Sequence, residues 1–225
     1  MTITSFVREL AAFESERVFN PYSQRCEIYD RHDAARIRRR NLKELMKSAI
    51  EGGASTIWVA RDLGYRGGRR TGLALTDEAH LGSLAEVFEA DKIQRATKGP
   101  LVAERTATII WRMLARIEEP VMLWNVFPFH PHDLGDPMSN RCHTRAEREA
   151  AEPFLEALIE MLKPTKLVAI GRDAASALEG SSIPIYQARH PSYGGQSEFI
   201  DQIETLYGLK PERPRQRRLG LEAAA

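Results

Sequence analysis

Three stretches of this 225-residue chain gather side chains suited to chemistry. The first is Arg61-Asp62-Leu63-Gly64-Tyr65-Arg66-Gly67-Gly68-Arg69-Arg70-Thr71-Gly72, which follows an apolar run. Its glycines let backbone N–H groups approach an anion, and its arginines suit the bidentate grip on a phosphate. It lacks the P-loop and dinucleotide-binding patterns, so a tight turn and a phosphate cradle are both open readings. The second is Asn125, set inside the otherwise apolar Val121 to Phe127. A buried amide without partners costs about 1–3 kcal/mol, so its presence there points to a ligand. The third is Arg189-His190-Pro191-Ser192-Tyr193-Gly194-Gly195, where His190 taken alone reads as a structural histidine. His130 and His132 alternate with prolines, but no third ligand is spaced to join them and no metal is expected.

The elements that must position these residues follow from the apolar pattern. Ile57 to Ala60, Val121 to Phe127, Leu167 to Ile170 and Ile183 to Tyr186 are short apolar runs bounded by turn residues, as in buried parallel strands. Helical patterns separate them. Asn41 is expected to cap a helix carrying Leu42, Leu45, Met46 and Ala49 up to Gly52-Gly53, and Ile109, Ile110, Met113, Leu114 and Ile117 line a second. Thr144 and Glu147 form a capping box for a third that reaches Leu162 before Pro164, and a fourth runs from Phe199 through Leu206 to a stop at Gly208. Arg31, Arg36, Arg38, Arg39 and Arg40 read as a solvated helix face. The alternation predicts an α/β fold with three layers, a central and mainly parallel four-stranded sheet flanked by helices. In such a sheet ligands bind beyond the carboxyl ends of the strands, where all three stretches fall.

Composition narrows the class. Lys and Arg number 32 against 31 Asp and Glu, a net charge of +1 that excludes a histone-like polyanion binder while leaving room for a local basic cleft. Cys26 and Cys142 are too few for a four-cysteine iron–sulfur or zinc site and fit a reducing compartment. No apolar stretch approaches membrane-spanning length and the first residues lack a secretory pattern, so a cytoplasmic protein is expected. With no repeat or internal linker, residues 1–209 are expected to form one domain. Residues 210–225 read as a basic tail, rich in arginine from Lys210 to Arg218 and ending in Leu221 to Ala225, which looks appended.

In joint order and spacing the motifs resemble the uracil-DNA glycosylase superfamily. Ala60 to Tyr65 with Gly72-Leu73-Ala74-Leu75-Thr76 is similar to the family's first motif, Leu123-Trp124-Asn125-Val126 to the strand bearing its base-reading asparagine, and His190-Pro191-Ser192 to its last motif. Asn20-Pro21-Tyr22 also resembles family members, and the likeness runs from about the first strand to the last helix. It implies a repair hydrolase that removes uracil from single- or double-stranded DNA to leave an abasic site, working as a monomer without a cofactor. Asp62 and His190 would be catalytic, and Asn125, Tyr65, Leu75 and Phe127 would surround the base. Arg66, Gly67, Gly68, Arg69, Arg70, Ser192, Tyr193 and Gly194 would hold DNA, with Tyr193 filling the vacated stack. The chain departs from the pattern at Ala60 and Leu63, which replace a glycine and a proline, and at Arg61, where one branch carries Glu. Leu75 stands where a stacking ring is usual. The readings beside this one are excision of another damaged base such as hypoxanthine, a binding protein for damaged or abasic DNA with little turnover, and a nucleotide-binding α/β protein unrelated to DNA.

Overall fold

A computed structural model describes residues 1–90 and 92–211. Its elements are α1 (Ile3–Ala12), β1 (Val18–Phe19), α2 (Ala34–Glu51), β2 (Thr56–Asp62), α3 (Gly68–Thr71), α4 (Leu81–Val87), α5 (Arg105–Leu114), β3 (Val121–Phe127), β4 (His130–Pro131), α6 (Arg145–Leu162), β5 (Lys166–Ile170), α7 (Arg172–Ala177), β6 (Ile185–Ala188) and α8 (Gln196–Tyr207). Among the described residues β3, β2, β5 and β6 form a parallel sheet in that order, and β1 pairs with β4 in a short antiparallel ribbon. The sheet is flanked by helices, as the alternation of elements predicts. Most of the basic tail, from residue 212 onward, lies outside the described residues.

The first three runs are strands because they are apolar on both faces, and β2, β3 and β5 bury nearly every residue. The fourth differs from expectation. The strand is Ile185–Ala188 rather than Ile183 to Tyr186, and Tyr186 is exposed. It is an edge strand paired only with β5, and Pro184, which has no N–H, precedes it as a carbonyl acceptor for Leu167.

The third predicted helix begins on its capping box: Thr144 Oγ1 accepts from the Glu147 N–H and Glu147 Oε2 accepts from the Thr144 N–H. The first starts seven residues before Asn41, at Ala34. Asn41 is no cap. It is buried mid-helix, where its amide donates to the Gln94 carbonyl at 2.6 Å and accepts from the Gln94 N–H at 3.1 Å. The solvated arginine face is likewise corrected. Arg38 is fully buried, forms a bidentate pair with Asp30, and donates through Nε to the Arg70 carbonyl at 2.9 Å. Arg38 thus ties α2 to the glycine-rich loop. Among the described residues no helix is long and apolar enough to cross a membrane.

Candidate active site

Register brings the first two motifs onto one face of the sheet. Ala60 on β2 pairs with Asn125 on β3, and Asp62 with Phe127. Side chains alternate along a strand, so all four project to the same side. At the carboxyl ends of β2, β5 and β6 a cavity of about 410 Å³ is lined by Asp62, Leu75, Ser192, Tyr193, His190 and Glu104, among others. A larger groove of about 700 Å³ between β6 and α8 holds none of the motif residues.

Asp62 ends β2, and its Oδ2 accepts from Arg61 Nε at 2.8 Å. Arg61 also reaches Asp173 on α7 at 3.1 Å. Burial works against the Arg61 charge, but Asp62 and Asp173 outweigh it and raise the pKa above the ordinary arginine value. Arg61 stands where one family branch has an acid, and here it holds the neighbouring carboxylate. His143 lies on the other side, Nδ1 at 3.5 Å from the same oxygen, with its ring against Phe127.

His190 is fixed by its own motif. Its Nδ1 accepts from the Ser192 backbone N–H at 3.2 Å, with the Ser192 hydroxyl at 2.7 Å. An N–H can only donate, so the neutral ring carries its proton on Nε2, which has no partner among the described residues. Burial first, and Arg61 second, push the His190 pKa below the ordinary histidine value and keep the ring neutral at pH 7. The turn requires Gly195, where a Cβ would stand 2.2 Å from the His190 carbonyl oxygen.

Asn125 is 1% exposed and makes no side-chain hydrogen bond among the described residues. It does not line the cavity itself; its registered neighbour Ala60 does. Leu75 lines the cavity at a φ of +53°, a left-handed conformation a branched residue rarely adopts. Thr71 holds it there: its hydroxyl donates to the Thr76 carbonyl at 2.7 Å and accepts from the Leu73 N–H at 3.1 Å. Tyr22 donates to the Gly72 carbonyl at 2.9 Å and secures the loop from the other side, which gives Asn20-Pro21-Tyr22 a structural role.

Other site expectations are placed differently. Phe127 is fully buried against Phe13, Phe129 and His143 and is not among the residues that line the cavity. Tyr65 is half-buried outside the lining, its N–H donating to Asn140 Oδ1 at 2.9 Å. Arg69 and Arg70, expected on phosphates, are buried and turned inward, a correction. Arg69 lies over the Phe19 ring at 3.9 Å, and Arg70 lies over Tyr29 and pairs with Glu78 at 3.1 Å. Aromatic faces and a buried carboxylate compete for these guanidinium groups better than solvent does. Arg66 alone of the three loop arginines expected on DNA is exposed. A Cβ on Gly68 would stand 2.4 Å from Leu63 Cδ2 and 3.1 Å from Leu63 Cβ, and one on Gly67 would stand 2.0 Å from Glu104 Oε2, the end of a flexible side chain. Tyr193 is 98% exposed at a φ of +50°, followed by Gly194 at +82°.

Glu104, Asn140 and His143 reach the site from segments with no motif, and nothing in their spacing marks them. His130 explains part of this. Its Nε2 donates to the Ser139 carbonyl at 2.9 Å and faces Asn140 Oδ1 at 3.3 Å, so it pins the segment that carries Asn140 and His143. Among the described residues no group of three or more His, Cys, Asp or Glu is placed to hold a metal. Burial, then Arg69, lowers the His130 pKa to about 4. The unfolded chain therefore takes up this proton first, and stability present above about pH 6.5 is expected to be lost as pH falls toward 4, by roughly 3 kcal/mol. Urea unfolding across that range should show the loss, and His130→Gln should flatten it.

The uracil DNA glycosylase superfamily profile matches residues 65–204, a span that holds Asn125 and His190 and begins just after Asp62. Comparison with curated proteins finds no match. Among solved structures the chain is similar to one described as the crystal structure of wild-type Pedobacter heparinus SMUG2. The TM-score is 0.61 at 13% identity, covering 92% of this chain and 96% of that one, a likeness of fold.

Proposed function

Because the chain belongs to the uracil DNA glycosylase superfamily, we propose that its cavity receives a uracil flipped out of DNA and hydrolyses the N-glycosidic bond to leave an abasic site. The observation that carries this reading is His190, a neutral ring with Nε2–H unspent on a cavity that also holds Asp62.

Cleavage sends the bonding electron pair to the departing base and leaves positive character on the sugar. His190 donates from Nε2 to uracil O2 and stabilises the first; Asp62, held by Arg61, faces the second and orients the attacking water. Asn125 accepts from uracil N3–H and donates to O4, which gives its unpartnered amide the hydrogen bonds it lacks. Cytosine presents the reverse pattern and would leave both groups unpaired. Arg66, with the backbone around Ser192 and Gly194, contacts the flanking phosphates, and DNA is the partner. The Ser192 hydroxyl serves His190 instead.

Tyr193 is the wedge: a ring standing free of the protein on a strained turn enters the gap that the flipped base leaves. Tyr193→Ala is expected to slow excision from duplex roughly 10-fold, on the order of one lost stacking contact, and to leave single-stranded substrate nearly unchanged. Single-turnover rates on the two substrates check this.

An end-labelled duplex with one uracil, incubated with the protein and then treated with alkali, should break at that position. No break beyond the no-enzyme control on duplex or single strand would overturn the proposal. Leu75, aliphatic where a stacking ring is usual, favours a second reading in which other deaminated bases such as hypoxanthine are also excised. A panel of damaged bases separates the two.

A further inference from the structure

Of the three carboxyls that line the cavity, Asp62 and Asp173 are paired with Arg61, and the third, Glu104, has no such partner and no part in the mechanism above. Glu104 sits at the start of α5 yet makes no capping bond to that helix. Its carboxyl instead lies against the glycine-rich loop, with Oε1 3.1 Å from where a Cβ on Gly64 would stand and Oε2 2.0 Å from one on Gly67. The loop lacks two side chains where this group approaches. Among the described residues no hydrogen bond or ion pair reaches the Glu104 carboxyl, whereas Asp62 has Arg61 and Asp77 has His80.

We propose that Glu104 contacts the base in its neutral form and donates a hydrogen bond to it as it departs. This rests on the glycosylase reading of the same cavity. An ionised carboxylate in that place would be unpaired and would repel the negative charge that develops on the base. A carboxylic acid offers a donor at no such cost. The proton stays on Glu104, the electron pair of the glycosidic bond passes to the base, and water supplies the new bond to the sugar.

The surroundings agree. Burial first, then the Asp77 carboxylate, raise the Glu104 pKa, while Arg66 pulls the other way. Asp62, Arg61, Asp173 and His190 share the lining. The two carboxyls sit in opposite surroundings: Asp62 is paired with Arg61, and Glu104 has no cation within ion-pair distance among the described residues. Burial and Arg61 lower the His190 pKa and so move its titration to the acid side, and His143, 3.5 Å from Asp62, is the other histidine facing the site.

The test compares wild type, Glu104→Gln and Glu104→Ala between pH 5 and 8.5, by single-turnover excision of uracil and by calorimetric binding of free uracil. Gln keeps a neutral donor at nearly the same shape. Wild type should weaken in both measurements as pH rises, Glu104→Gln should stay within about 3-fold of the low-pH wild type without that fall, and Glu104→Ala should lose roughly 10- to 100-fold at low pH. A Gln variant as impaired as the Ala variant would overturn the proposal, as would three proteins with the same profile. A wild type that binds uracil with this pH pattern but excises none would contradict the glycosylase reading and leave the Glu104 contact standing. No binding and no excision by any of the three would overturn both.

Discussion

His190→Ala is expected to slow single-turnover excision of uracil by about 100- to 1000-fold, the usual cost of removing one preorganised donor from a developing oxyanion. The size of the effect follows from how the ring is held. Ser192 occupies Nδ1 with a backbone N–H that no side-chain change removes, so the remaining proton is committed to Nε2 before substrate arrives. Ser192→Ala removes only the hydroxyl at 2.7 Å and should therefore cost much less than His190→Ala. His190 is half-buried and Gly195 lets the turn close beneath it, so the Ala variant, which loses only the ring's bonds to Ser192, should unfold at nearly the wild-type urea concentration. Rate and stability measured on the same preparation distinguish a lost donor from a disturbed turn.

Asn125 should give an opposite pairing of the two readouts. Its Oδ1 is buried without a hydrogen bond, a burden of about 1–3 kcal/mol on the folded chain. Asn125→Leu, of similar volume, is expected to relieve part of that burden and raise the unfolding midpoint while abolishing excision. Asn125→Asp should keep acceptance from uracil N3–H but lose donation to O4, and it can accept from the cytosine amino group. Preference for uracil over cytosine, on the order of 10⁴ for a site built on such bonds, should collapse in this variant. Competition between uracil- and cytosine-containing strands at equal concentration measures it. A gain in stability together with loss of activity is the mark of a residue kept for its ligand.

The physical reasons decide which parts of this site could be read from sequence. The placement of Asp62 and His190 at one end of the sheet, and of Asn125 inside β3, was legible because each follows or interrupts an apolar strand, and in a parallel sheet strand ends converge. The capping box at Thr144 and the stop at Gly208 were legible because both act within one turn of helix. Asn41 and Arg38 were misread because their partners, Gln94 and Asp30, lie outside the helix, and tertiary contacts override a local polar signal. Arg69 and Arg70 were misread for a related reason. Phosphate and an aromatic face attract the same guanidinium group, and only the positions of Phe19 and Tyr29 show which one it meets. Glu104 and His143 carried no signal, since folding brings them to Gly67 and Asp62 from segments without any pattern.

The central claim is hydrolysis at the sugar carbon, and mass spectrometry of products formed in ¹⁸O-labelled water tests it most directly. A single-stranded oligonucleotide with one uracil, incubated with the protein and reduced with borohydride at once to trap the abasic sugar, should yield unlabelled free uracil and an oligonucleotide that has lost the base, with both absent from an Asp62→Asn control. Uracil still attached to the strand at every time point, or label found in the released base, would contradict the account.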